Sequence, residues 1–250
     1  METAALLQNA MDIGEALLRN GAEIYRVEDS IMRVLNAYGA ARIDVFAIPS
    51  LMVATLQMPN EDSVSETRRI LRTYTNLDAV SRLNALCREV CRTTPPPEEM
   101  ARRLRQILAV KPYPPVMTLL SYIVSSFAFA VFFGGSFMDG AASAAGGLLL
   151  YFAVHLLQRL RISPVFVDII GAAVAAGCAL LLTRFYAGAQ VDKIVIGNIM
   201  MLIPGLELTN GMRDLFSGDM LAGLLHIGEA VFFASMIALG AAYILSLGGA

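Results

Sequence analysis

Around Pro204 and Gly205 the chain places hydrogen-bonding groups inside an apolar run, Ile194 to Leu208. Asn198 precedes this pair, and Glu207 and Asn210 follow it. Proline has no N–H to give the Met200 carbonyl, and its ring pushes that carbonyl aside. Gly205 lets the chain bend, or lets a ligand approach, with no side chain in the way. In hydrocarbon, backbone that leaves the helix must find partners in protein or in a water-filled cavity. A broken helix flanked by polar groups is one way a membrane protein builds a midplane site for a small solute. The alternative is a proline kink set by packing alone, since proline and glycine are common in membrane helices. Intramembrane carboxylates are not common, and they favour a pathway.

In the pathway reading, half-helix amides at Pro204-Gly205 meet a substrate carboxylate. Asn198 and Asn210 give neutral hydrogen bonds, and Glu207 carries a coupling proton or pairs with Arg213. Asp214 follows Glu207 and Asn210 at helical spacing. Glu229 shares a helix face with His226, and Asp168 lies early in another apolar segment. The candidate pathway is thus Asn198, Pro204, Gly205, Glu207, Asn210, Arg213, Asp214, Asp168 and Glu229. His155 is expected at the water interface.

Other chemistries are poorly provided for. The two histidines, His155 and His226, fall in the apolar half, so a general base in the polar half would have to be a carboxylate. There is no phosphate loop, which argues against ATP-driven pumping. Cys87, Cys91 and Cys178 lack the further ligands of a metal site and read as structural thiols of a reducing compartment. No catalytic residue, metal or cofactor is expected. A net charge of −2 with no isolated basic patch argues against nucleic acid.

These residues must be positioned by a chain of two halves. Of 250 residues, 56% are hydrophobic and 16% charged, against roughly 25% charged in soluble domains. Residues 1–114 hold 14 of the 19 Lys+Arg and 14 of the 21 Asp+Glu. The expectation is a small cytosolic α+β domain over 1–110, then a transmembrane domain over 115–248. Five segments are candidate spans, at about 115–134, 140–160, 164–185, 191–208 and 220–247, since about 20 apolar residues cross a bilayer. The fourth is the most interrupted, which favours burying it in the bundle. Asp139 is the one charge of the first loop, Arg159 and Arg161 mark the second, and Arg213 the fourth. With Arg102, Arg103, Arg105 and Lys111 before the first span, positive charge puts the N-terminus in the cytoplasm and the C-terminus outside. Arg184 and Lys193 run against this. No signal peptide is expected, because Glu2, Asp12 and Glu15 interrupt the N-terminus.

An odd number of spans would let a second copy of the unit lie inverted, so a partner is expected, either a second copy or a separate small membrane protein. The small-residue runs Gly140–Gly147 and Gly171–Gly177 suit close helix packing, within this chain or against a partner.

In the polar half, residues 3–20 and 23–38 read as amphipathic helices separated by Asn20-Gly21. Apolar positions 6, 7, 10, 13, 17 and 18 mark the buried stripe of the first. Ile43–Ile48 and Leu51–Met58 resemble a hairpin about Pro49-Ser50, and Thr67–Tyr74 a third strand. Leu77–Arg92, capped by Asn76, and Glu98–Leu108 are further helices; the basic face of the latter suits anionic headgroups. Glu23, Arg26 and Glu28 either line a site or form surface ion pairs, Glu23–Arg26 foremost.

Three strings carry a resemblance: Gly21-Ala-Glu-Ile-Tyr-Arg-Val-Glu-Asp, Asp44-Val-Phe-Ala-Ile-Pro-Ser, and Ile203-Pro-Gly-Leu-Glu-Leu-Thr-Asn-Gly-Met-Arg-Asp-Leu with Ser217-Gly-Asp219. In this order and spacing, over about residues 5 to 245, they resemble the threonine/serine exporter family. Full-length members have a cytosolic N-domain and ten spans in two halves, whereas this chain ends after the first. It looks like the larger subunit of a split form of bacterial inner membranes, whose companion is a small five-span protein. The resemblance implies export of a small polar metabolite, a dicarboxylate such as succinate, or threonine or serine. Two other readings stay open: a structural or regulatory membrane subunit, and a membrane-anchored hydrolase using the N-domain carboxylates, for which no supporting residues are found.

Overall fold

The computed structural model describes residues 3–71, 73–110, 113–184 and 189–248. The chain divides into two compact units, Met1–Lys111 with Gly205–Glu229, and Pro112–Pro204 with Ala230–Ala250.

The first unit opens with α1 (Thr3–Arg19) and α2 (Ile24–Ala37), followed by strands β1 (Arg42–Ile48), β2 (Leu51–Gln57) and β3 (Val64–Arg69). Next come α3 (Leu77–Thr93) and α4 (Pro97–Leu108). It is completed by α9 (Gly205–Ser217) and the start of α10 (Met220–Gly248). The stripe expected on α1 is buried at Leu6, Leu7, Ala10, Ile13, Leu17 and Leu18. Gly21 ends that helix region with φ +89°, which a side chain would strain. The sheet is antiparallel in the order β1-β2-β3, with Ile48 opposite Leu51 and Leu51 opposite Arg69. On β2, Met52, Ala54 and Leu56 alternate into the core with α1, α2 and α3. The Ile31 side chain packs directly onto Gly14, where a Cβ would stand 2.5 Å from Ile31 Cδ1.

The hairpin and the helices lie within a residue or two of expectation. Asn76 caps α3, accepting from the Ala79 amide at 3.1 Å. The third strand is displaced: it occupies Val64–Arg69 rather than Thr67–Tyr74, because pairing with β2 runs Leu56 opposite Val64. Arg72, within the expected strand, and Lys111 lie outside the described residues.

The second unit contains α5 (Pro115–Phe132), α6 (Phe137–Arg159), α7 (Pro164–Thr183), α8 (Val191–Ile199) and the rest of α10. Proline at the first helical position starts α5 and α7, where its missing N–H is not needed. Among the described residues four helices, α5, α6, α7 and α10, are long and apolar enough to cross a membrane. The expected fourth span does not form as one helix. Over 191–208, α8 stops at Ile199, Met200–Pro204 is non-helical, and α9 begins at Gly205. The proline removes one helical hydrogen bond and Gly205 has open space around it, so nothing carries the helix through. Residues 205–229, read as membrane half from the sequence, belong to the first compact unit. The expected end of the third span, Phe185, lies outside the described residues.

Small residues allow the bundle to close. A Cβ on Gly147 would stand 2.8 Å from the Tyr122 carbonyl, and one on Gly197 would stand 2.7 Å from that of Ser126. Gly140 meets Val131 and Phe127 of α5, and Gly171 meets Leu202. The runs anticipated as packing stripes are therefore used inside this chain at these positions. The tightest approach is Gly240 of α10, whose Cβ would lie 2.2 Å from the Ile169 carbonyl of α7. A backbone oxygen cannot swing aside, so Gly240→Ala should destabilise the chain by about 1–3 kcal/mol. Gly228→Ala, with nothing within 4 Å, should not. Thermal unfolding of both variants in detergent separates the two cases, and equal melting temperatures would refute the packing argument.

Candidate functional site

Within the helix bundle, polar groups gather where α8 meets α5 and α6. Asn198 is fully buried and its Nδ2 donates to the Ile194 carbonyl at 3.0 Å. Ser143 Oγ donates to the Ser126 carbonyl at 3.0 Å. Glycine makes the room: a Cβ at Gly146 would lie 2.5 Å from Asn198 Nδ2, and one at Gly197 would lie 2.4 Å from Ser143 Oγ. Two buried atoms, Asn198 Oδ1 and Ser126 Oγ, have no hydrogen-bond partner among the described residues. Buried polar groups are nearly always satisfied, so these two atoms, with His155 Nδ1 of α6 a third in the bundle, stand out as unmet hydrogen-bonding groups. Asp139, counted from sequence as a loop charge, is fully buried. It forms a capping box with Ser136 at the start of α6, and its Oδ1 accepts from the Gln190 amide at 2.9 Å, just before α8. The Ser-x-x-Asp spacing from Ser136 to Asp139 was the available signal.

The first unit holds a second polar cluster, around the start of α2. That helix begins at Ile24 without a side-chain cap of its own, since Glu23 makes no such bond. Asp214 of α9 supplies it: Oδ1 accepts from the Ile24 amide at 3.1 Å and lies 3.5 Å from that of Tyr25. Oδ2 lies 3.0 Å from His226 Nδ1. A carboxylate there only accepts, so Nδ1 carries the proton. Asn210 Nδ2 donates to the Gly21 carbonyl at 3.1 Å, and Arg213 pairs with Glu23. Glu23 Oε2 also lies 2.8 Å from Arg26 Nε, the expected ion pair, though Nε is angled away from a directed hydrogen bond. Three of the nine candidate residues, Asn210, Arg213 and Asp214, are thus brought together at one helix end. His226, assigned from sequence to the membrane half, is part of this first unit.

Glu28 borders the same cluster. Its Oε1 accepts from the Ala47 amide at 2.6 Å. Burial pushes its carboxyl up to about 7, the Ala47 bond opposes this, and the charges of Asp219 and Asp214 add to it. Burial and the Asp214 charge likewise raise Asp219.

The remaining candidates are dispersed. Glu207 is half-buried in the first turn of α9, Gly205 opens that helix, and Glu229 is exposed on α10. Pro204 and the half-buried Asp168 belong to the second unit. His155 is half-buried, its ring centroid 4.2 Å from that of Tyr151. No group of three or more His, Cys, Asp or Glu among the described residues is arranged to hold a metal ion.

Residues 8–248 match the threonine/serine exporter family model, ThrE. The chain belongs to the threonine/serine exporter family. It is 23% identical to a probable threonine/serine exporter of Mycobacterium tuberculosis over 96% of this chain and 46% of that one. It is 21% identical to a threonine/serine exporter of Corynebacterium glutamicum over 96% of this chain and 50% of that one. The chain spans about half the length of these two curated relatives. A probable succinate transporter subunit of Klebsiella aerogenes is 22% identical over 83% of this chain and 80% of its own length. No solved structure matches. With its apolar helices, this family member is a multi-pass membrane protein of a transport family rather than an enzyme.

Two outcomes follow for the first unit. Asp214→Ala leaves the α2 amides uncapped and His226 unpaired, so it should cost about 1–3 kcal/mol. Asp214→Asn, which keeps an acceptor toward Ile24, should cost less; melting of the purified chain in detergent tests the ranking. Glu28 titrates at about 7 when folded against 4.5 ordinarily. The folded chain therefore holds the extra proton between those values, and stability falls as pH rises through that window. Glu28→Gln should flatten the pH dependence of melting there, by on the order of 1 kcal/mol after discounting solvent screening. An unchanged slope would contradict the raised carboxyl.

Proposed function

We propose that this chain is one half of a secondary exporter, moving a small carboxylate-bearing metabolite out of the bacterial cytoplasm across the inner membrane. Its companion is a second five-span subunit of the same family or a second copy of itself. The substrate is threonine or serine, or a dicarboxylate such as succinate, the cargoes that the relatives' names carry. The observation that carries this reading is the pair of orphaned polar atoms, Asn198 Oδ1 and Ser126 Oγ, buried in an apolar bundle.

A fifth crossing, incomplete as a helix, is supported by counting passages of the chain. Asp214 bonds the amides of α2, so α9 lies on the same side of the membrane as the N-domain. Three crossings, α5, α6 and α7, carry the chain to the opposite face, and it must return before Gly205. The helix available there is α8, whose nine residues reach about 13 Å, less than half the ~30 Å hydrocarbon core. The rest of that passage is the non-helical Met200–Pro204, whose amides from Met200 to Ile203 turn back onto the carbonyls of Ile196, Asn198 and Ile199. Passage five, α10, then leaves the C-terminus outside, as the charge pattern favours. Asn198 sits one turn from the end of α8. In this reading it orients the substrate, while Asn210, Arg213 and Asp214 hold α9 to the start of α2. Glu207, Asp168 and Glu229 stay as candidates for the pathway's charged steps.

Efflux from cells loaded with labelled threonine or labelled succinate, with this chain expressed alone and with a five-span family member, tests the reading. Efflux of one of them above background in either setting is expected. Asn198→Leu, close in volume but without hydrogen bonds, should reduce it about tenfold or more at equal membrane abundance. Undiminished efflux in that variant would remove Asn198 from the pathway. Efflux of neither metabolite in either setting would favour a structural or regulatory subunit.

A further inference from the structure

A cavity of about 520 Å³ opens between α2 and α3 in the first unit, lined by Tyr25, Arg26, Ser30, Arg33, Arg88 and Arg92, with Asp29, Asn84, Cys87 and Cys91. Four arginines thus face one space with a single carboxylate, Asp29, which lies 2.7 Å from Arg33 Nε. Arg26 is likewise paired, with Glu23 at 2.8 Å, so Arg88 and Arg92 are the two cavity arginines with no ion pair among the described residues. Arg82, six residues before Arg88 on α3, is by contrast paired with Asp78 at 3.0 Å. The floor adds no negative charge. Burial, reinforced by Cys91, pushes the Cys87 thiol up to about 12, and burial raises Cys91 as well, so both stay neutral.

We infer that this cavity is a regulatory site for a multiply charged organic oxyanion, bearing phosphate or carboxylate groups on a body of about nucleotide size. Planar guanidinium groups offer paired donors in the geometry that phosphate and carboxylate oxygens accept. The volume is that of pockets that enclose drug-sized ligands, generous for a lone inorganic ion. Tyr25 gives a ring for the body to lie against, and Ser30 and Asn84 give neutral hydrogen bonds beside the charges. The site is built from residues 25–92 and shares none with the Asn198 cluster. It does not depend on which metabolite is exported. Arg26 ties it to the α2 end, since its partner Glu23 also holds Arg213. An anion that draws Arg26 away from Glu23 alters the contact that fixes α9.

The experiment is calorimetric titration of the full chain in phosphatidylcholine nanodiscs with ATP, citrate and inorganic phosphate as probes. Saturable binding of ATP or citrate is expected, with inorganic phosphate weaker. Arg88→Ala with Arg92→Ala removes two exposed side chains that the fold does not need and should weaken binding about tenfold or more. Arg82→Ala, outside the cavity, should leave it unchanged. Three results would each overturn the assignment. These are no saturable binding by any probe, binding unaffected by the Arg88/Arg92 change, and inorganic phosphate binding as tightly as the organic anions. Nanodiscs containing phosphatidylglycerol separate a lipid headgroup from a free ligand: loss of ATP and citrate binding in them would mean that the pocket takes lipid, against the proposal.

Discussion

The start of α2 depends on a carboxylate borrowed from far along the chain. Any helix begins with amides that its own backbone cannot satisfy. Here the residue in the capping position, Glu23, turns its carboxylate to Arg26 and Arg213 instead. Asp214, 190 residues away, takes its place. Much of the first unit follows from that bond. It fixes α9 against α2, brings His226 onto the second oxygen, and adds a minor negative charge to the burial that raises Glu28. Because donors and acceptors are matched, the cluster tolerates burial that an isolated carboxylate would not.

The bundle is governed by the opposite condition, incomplete satisfaction. Glycine at 146, 147 and 197 brings α5, α6 and α8 so close that side chains are nearly excluded from their seam. What remains is Ser126, Ser143 and Asn198, which bond mostly to backbone carbonyls. Close packing of this kind holds helices together where lipid offers no hydrophobic drive. It leaves two polar atoms, Asn198 Oδ1 and Ser126 Oγ, without hydrogen-bond partners among the described residues.

The elements of the polar half were readable in the sequence because they obey local rules. The α1 stripe, the hairpin about Pro49-Ser50 and the Asn76 cap each follow from periodicity or turn chemistry within a few residues. The third strand was misplaced because its register is imposed by β2, not by its own alternation. The break at Pro204 was legible, yet the partners of the residues beyond it were not. Asn210, Arg213 and Asp214 carry the spacing of a helix face that could line a pathway. Nothing local reveals that they meet Gly21, Glu23 and Ile24. Asp139 was overlooked for a related reason: hydropathy set the helix start three residues late, which turned a capping residue into a loop charge.

A polar residue in an apolar sequence has two explanations, support and function, and its type does not distinguish them. Completeness of its hydrogen bonding does. Asp214 and Asn210 looked like pathway residues, but each has its acceptor or donor matched by named backbone atoms. Such residues are expected to act by holding structure, and their loss should appear in melting before it appears in transport. Asn198 is as buried as Asp214 and is half satisfied, with one amide atom bonded and the other idle. The same contrast separates Arg26, Arg33 and Arg82, each paired on its own helix, from Arg88 and Arg92, which face the α2–α3 cavity with no ion pair among the described residues. In each unit a few groups remain after the fold has met its own needs, Asn198 Oδ1 and Ser126 Oγ in one and Arg88 and Arg92 in the other, and unmet groups, more than charge or rarity, single out residues to test.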